Sequence, residues 1–187
     1  SWQALNASKG NHGKYTAMKA EALKHLEFVC RLYREQVQGG RYFVHEHPEA
    51  ASSWGIECIE SVMQIEGVDR VGCDQCQFGA ECERGQRRGQ PVRKPTGFMS
   101  NSAAILKELN KRCQGGGLHQ CSRAKGGMHV PCSGATARDR ARYPPKLCRA
   151  LIRGMGKQLR MDGVMRPGCQ GLLAVDEEVL LEKKMCE

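Results

Sequence analysis

Two cysteine-rich stretches carry the ligand chemistry of this sequence. Cys73-x-x-Cys76, with Cys82 close by, has the spacing of the first half of a zinc knuckle. A later stretch supplies Cys113, His119, Cys121, His129 and Cys132. Thiolates and imidazoles drawn from two loops can close a tetrahedral shell, and a metal there would anchor a Gly-rich region with no core of its own. The candidate ligands are Cys73, Cys76, Cys113, His119 and Cys121, with zinc as the expected cofactor. The second group lacks a tight C-x-x-C or H-x3-H spacing, so free thiols, with Cys76 buried in the turn before Phe78, are the alternative. Cys30, Cys58 and Cys148 fall within helical patterns and are expected to pack rather than ligate.

A second constellation is His45-Glu46-His47, at the end of a short β-prone segment that Pro48 stops. In open α/β sheets, ligands bind outside the carboxyl ends of strands, so Glu46 is placed for function. An imidazole beside a carboxylate can move protons. Alternation sends 45 and 47 to one side and 46 to the other unless the strand has already ended. The alternative is a structural carboxylate flanked by two solvent-facing histidines.

Basic residues form two runs. Arg84, Arg87, Arg88, Arg93 and Lys94 share one loop, and Arg138, Arg140, Arg142, Lys146, Arg149 and Arg153 follow later. Arg149 and Arg153 are spaced to share a helix face. With a net charge of +9 and a pI of about 9.1, the chain suits a nucleic-acid partner, DNA or RNA, gripped through phosphates. The expected contacts are Arg84, Arg87, Arg88, Lys94, Arg149 and Arg153. Few aromatic residues interleave them, which argues against base stacking; a solvated helix face and a charged loop are the alternative. There are eleven cysteines, and no basic flank with an apolar run opens the sequence, so a disulfide framework is not expected. No apolar stretch approaches a membrane span. An intracellular location, cytoplasmic or nuclear, follows as an expectation.

The elements that must position these residues alternate. Met18, Ala22, Leu23, Leu26, Val29, Cys30, Tyr33 and Val37 make a helical stripe over 17–37, ended by Gly39-Gly40. Residues 41–46 read as a strand. Ser52 or Ser53 starts a helix striped by Ile56, Ile59, Val62, Met63 and Ile65. Residues 68–75 and 96–100 read as strands, separated by a charged Gly-rich loop. Asn101 or Ser102 caps a helix with Ile105, Leu106 and Leu109. Residues 114–137 show little periodicity, and Pro144-Pro145 opens a last helix that ends near Gly163. Helix–strand alternation predicts an α/β fold with a parallel or mixed sheet, flanked by helices and carrying a Cys/Gly-rich irregular insert. One domain over 1–163 and a weakly structured tail over 164–187 are expected.

Tyr42 to Pro48 resembles the strand of cytosine-5 DNA methyltransferases that ends in Glu-Asn-Val, with Glu46 as the glutamate and His47 and Pro48 in place of Asn and Val. In that family the glutamate holds the target cytosine while a cysteine attacks the ring. Cys76 to Gly79, Gly89 to Thr96 and Phe98 to Asn101 resemble its later block, where Arg93 matches an arginine that organises the site, Lys94 stands beside it, and Thr96 replaces a second arginine. A nearer similarity is to a methyltransferase-like segment of copia-type retroelement polyproteins, through His45 to Pro48, Ser53-Trp54, Gln75 to Gly79, Lys94 to Asn101 and Tyr143 to Cys148, over about residues 1–162. The resemblance implies a partial Rossmann-like, methyltransferase-type sheet, with Glu46 and Arg93 as catalytic residues, contact with nucleic acid, and other polyprotein domains as further partners. It also implies that the Pro-Cys nucleophile and the glycine-rich S-adenosylmethionine loop belong to a preceding half; no Gly-x-Gly-x-x-Gly occurs here. This fragment is therefore expected to be inactive alone, and S-adenosylmethionine to bind only with that half present. A non-catalytic, zinc-stabilised interaction module is the rival expectation.

Overall fold

The computed structural model describes residues 12–115 and 120–165. Three short strands form one sheet: β1 (Val44–Pro48), β2 (Asp69–Asp74) and β3 (Pro95–Ser100), in the order β1-β3-β2. β3 is central and antiparallel to both neighbours, with Val44 opposite Ser100, Glu46 opposite Phe98, and Asp74 opposite Pro95. The chain is thus mixed α/β, and the expectation of parallel neighbours is corrected. β1 and β2 do point the same way, as helix–strand alternation implies, but β3 lies between them and takes the hydrogen bonds of both. Three strands paired in this way do not make a Rossmann-type parallel sheet.

Strand alternation sorts the two faces. Val44, Val71, Cys73 and Phe98 point to one face, which is covered by α3 (Ala103–Leu109) and α5 (Pro145–Met161). Ile105, Leu106, Leu109, Leu147 and Ala150 complete that core. Met99 points to the other face, where α1 (His12–Gln38), a 3-10 turn at Ser52–Gly55 and α2 (Glu57–Met63) bring Cys30, Phe43, Trp54, Ile59 and Val62. Each fully buried large side chain here is worth ~1.5–3 kcal/mol over its exposed state. In α1 the C-terminal half of the expected stripe packs, through Leu26, Cys30, Tyr33 and Val37, whereas Met18 remains 64% exposed.

Local chemistry fixes the joints. Pro48 is tolerated because β1 is an edge strand, and its carbonyl accepts from Trp54 Nε1 at 3.0 Å. Asn101 accepts from the Phe43 amide at 3.0 Å and donates to the Arg41 carbonyl at 2.9 Å, fastening the entry of β1 to the exit of β3. Ser102 caps α3 by accepting from the Ile105 amide. Gly154 is required where α5 crosses α3: a Cβ there would lie 2.6 Å from the Ile105 Cα. A short helix, α4 (Gly134–Asp139), interrupts the stretch expected to be irregular. Residues 166–187 fall outside the described residues, so the expected tail is covered there only at its start.

Candidate metal centre

The carboxyl ends of β1 and β2 and the amino end of β3 share one edge of the sheet, and the functional candidates collect along it. β2 runs through Asp74 into a 3-10 turn, Gln75–Phe78, which Gly79 closes in the left-handed region at φ 84°. The turn swings Cys76 off the strand axis. On the same side, the loop after α3 delivers Cys113, tied by the Asp74 amide donating to the Lys111 carbonyl at 3.0 Å.

Cys76, Cys113, Cys121 and His129 meet there, all buried, with their ligand atoms within 4.8 Å of one another. Cys113 Sγ lies 3.7 Å from Cys121 Sγ and 3.6 Å from His129 Nε2. A tetrahedral ion with metal–sulfur bonds of ~2.3 Å sets neighbouring sulfurs roughly 3.8 Å apart. These four residues could therefore hold a metal ion with little rearrangement.

A surrounding shell orients the ligands. Gln77 Nε2 reaches Cys76 Sγ at 3.6 Å and Cys121 Sγ at 3.7 Å. The Ser122 amide and hydroxyl both donate to Cys113 Sγ at 3.4 Å. Burial pushes the Cys113 thiol up, but the donors from Ser122 and Gly115 and the contact with Cys121 outweigh it and bring the group down to about 6. Burial raises the Cys76 thiol well above its ordinary value. Asp74, fully buried, accepts from the Cys113 amide at 2.9 Å and from Arg93 Nε at 2.9 Å, with Arg93 Nη2 at 3.4 Å. His129 is set by its neighbour: Val130 bridges in parallel to Val92 and joins a small core with Ala80 and Cys82. Arg123 closes the loop by donating to Glu81 at 2.6 Å and to the carbonyls of Gly126 and Gly89. His129 Nδ1 is buried without a protein partner among the described residues.

Of the ligands expected from sequence, Cys76, Cys113 and Cys121 come together. Cys73 does not. It still belongs to β2, and strand alternation turns its side chain into the core against Phe78 and Phe98, where burial pushes the thiol up to about 12. His119 falls outside the described residues. His129 takes the fourth place. It stands in the same Cys/His stretch, but sequence spacing gives no reason to prefer it.

Glu46 and Arg93 have different partners. β1 continues to Pro48, so alternation holds. His45 and His47 face Trp54 on one side, and Glu46 faces Tyr143 on the other. Burial first, and then its hydrogen bond to Glu46, raises the Tyr143 phenol to about 12. Lys94 has a left-handed backbone at φ 36°, and this kink parts it from Arg93. Arg93 turns to Asp74, whereas Lys94 donates to the Arg140 carbonyl at 2.8 Å and lies 5.7 Å from the Tyr143 ring. His45 accepts no charge readily: burial, with His47 and Arg70 nearby, lowers it to about 4, and its Nδ1 is 2.9 Å from the Tyr33 hydroxyl.

The expected nucleic-acid contacts divide. Arg87 and Arg88 are exposed. Arg84 is exposed and pairs with Asp139 at 3.0 Å. Arg153 pairs with Glu108 at 3.3 Å, and Arg149 is half-buried beside it on α5. Arg88, Lys125 and Arg142 line an open groove of about 840 Å³ with Tyr143, Glu81 and Glu83. No helix among the described residues is long and apolar enough to cross a membrane. In comparisons with known proteins, no family model, no curated protein and no solved structure matches the chain.

Proposed function

We propose that this chain is a zinc-stabilised, basic α/β module that contacts nucleic-acid phosphates and performs no catalysis by itself. The observation that carries the reading is the convergence of Cys76, Cys113, Cys121 and His129 within 4.8 Å. Three sulfurs and one imidazole make a closed donor set of the structural type, with no carboxylate or open place for a reacting water. Zinc suits that set because its tetrahedral preference matches the sulfur spacing. The described residues between 120 and 133 are anchored by polar ties and a small core, so metal binding and the folding of this stretch are coupled.

The retroelement, methyltransferase-like origin remains the family proposal. It is supported by the ordered motifs and by Glu46 lying on a strand that ends at the carboxyl rim of a sheet covered by helices on both faces. A catalytic pairing of Glu46 with Arg93 draws no support from their separate partners. A partial methyltransferase-type fold, completed by a preceding half that would bring S-adenosylmethionine, is the form in which the enzymatic reading stands. Nucleic-acid contact is supported by the charge of +9 and by exposed Arg87, Arg88 and Arg142 beside the groove.

Metal analysis of the purified chain tests the core of this reading. One zinc per chain, removed by a chelator with loss of thermal stability, is the expected result. A metal-free chain that melts identically with and without zinc would refute it. Binding to a mixed-sequence duplex should weaken with salt, at a log–log slope of roughly −0.9 per phosphate contacted, and R88A/R142A should flatten that slope. A salt-independent affinity would remove the nucleic-acid part.

A further inference from the structure

Cys30 and Cys58 belong to neither the metal cluster nor the sheet edge, yet they face each other across the interface of α1 and α2, where Cys58 packs against the core that buries Cys30 and the Arg34–Ser61 hydrogen bond ties the same turns together. Cys30 is fully buried and Cys58 is half-buried. Cys58 also opens into a groove of about 490 Å³ whose other walls are Lys24, Glu27, Arg31 and Arg34. Three cations against one carboxylate make this groove electropositive. Arg34 is fixed there: its Nη2 donates to Ser61 Oγ at 2.6 Å, and Ser61 Oγ donates to the Cys58 carbonyl at 2.9 Å. One thiol thus faces solvent among cations, with a second directly behind it.

We propose that Cys58 is a thiol–disulfide exchange site for small disulfides bearing carboxylates, with Cys30 as the resolving thiol. The cationic walls attract the carboxylates of the reagent and hold it beside the half-buried Cys58. The Cys58 thiolate attacks one sulfur of the reagent. A bond forms between Cys58 and that half, the reagent's S–S bond breaks, and the other half leaves as thiolate and takes up a proton. Cys30 then loses its proton and attacks Cys58 Sγ. The Cys30–Cys58 bond forms and the second half departs as thiol. The protein dithiol is oxidised by two electrons and the reagent disulfide is reduced to two thiols. The order of attack follows from access. Burial, followed by the contact with Cys58, holds the Cys30 thiol up at about 12, so it stays protonated until a partner sulfur is delivered next to it. The product is a covalent tie between α1 and α2 that leaves the metal ligands untouched.

The test uses the full chain, reduced and zinc-loaded, with oxidised glutathione as probe. At low ionic strength, peptide mapping should find a Cys30–Cys58 cross-link, formed several-fold faster than with the uncharged hydroxyethyl disulfide. High salt, or K24A/R31A, should erase that advantage. C30S should stop at a mixed disulfide on Cys58. Absence of the Cys30–Cys58 peptide, oxidation confined to Cys132 or Cys148, or equal rates with the two reagents would overturn the proposal. Should C30S fail to fold, the wild-type map and the rate ratio decide alone.

Discussion

Replacing Asp74 by asparagine tests how the metal centre is held. The carboxylate serves two donors from opposite sides. Oδ1 accepts from Arg93 Nε at 2.9 Å, and Oδ2 accepts from the Cys113 amide at 2.9 Å. An asparagine has one oxygen and one NH2 in those places, so one of the two donors must face another donor. An unsatisfied buried donor costs ~1–3 kcal/mol. Asp74 is itself fully buried, but Arg93 retains about a third of its side-chain exposure, so the lost ion pair adds less than a fully desolvated pair would. A destabilisation of ~2–3 kcal/mol is therefore expected for Asp74→Asn in urea unfolding of the metal-loaded chain. The same change loosens the backbone that presents Cys113, and groups that orient metal ligands typically control affinity by 10–100-fold, or ~1.4–2.7 kcal/mol. Zinc competition against a chromophoric chelator reads this directly. Arg93→Ala should weaken zinc less, and the double variant should fall short of the sum, because both changes remove one interaction. Zinc affinity within a factor of ~2 of wild type, together with additive single changes, would refute the positioning role of Asp74.

Chelation of the metal should strip amide-exchange protection from residues 120–131 while β1, β2 and β3 stay protected, because the two sheet cores contain none of the four ligands. Loss of protection across the whole sheet would show that the metal nucleates the fold. Gly154→Ala gains ~1 kcal/mol in helix propensity, but the added methyl meets the Ile105 backbone. Overpacking of ~1–3 kcal/mol should win, and a higher urea midpoint would contradict the close crossing of α3 and α5. His45 should make the fold sensitive to acid. Its folded value is lowered to about 4 from 6.5, so the unfolded chain binds the extra proton first. Its contribution is then complete above about 6.5, falls as the pH drops towards about 4, and changes no further below that. His45→Gln should remove this component from a plot of stability against pH, and an unchanged slope would count against the buried neutral imidazole.

The elements were legible in the sequence because their signals are local. Ser102 caps α3, Pro144-Pro145 opens α5, and Gly39-Gly40 closes α1. Strand pairing was not, because β3 takes its place between β1 and β2 through contacts made by distant residues. The metal centre shows the same division. Cys76, Cys113 and Cys121 stand out by type and neighbourhood. The C-x-x-C spacing, however, does not reveal that β2 lasts one residue past Cys73 and commits that thiol to the core. The choice of His129 depends on Val130 meeting Val92, a long-range bridge that no window around the histidine contains. Glu46 and Arg93 look like partners when read as motifs. Their partners differ: Arg93 turns to Asp74 and Glu46 to Tyr143, and neither contact lies within the motif that carries the residue.

The central place of the last strand has a kinetic consequence. β1 and β2 share no hydrogen bonds with each other, so during synthesis both must wait as unpaired segments until β3 is available to slot between them. β2 and β3, consecutive and antiparallel, can pair first across the connection 75–94, and β1 joins last. The sheet is completed only when β1 reaches the other edge of β3, and such non-local closure slows folding and leaves that edge open to foreign pairing until it happens.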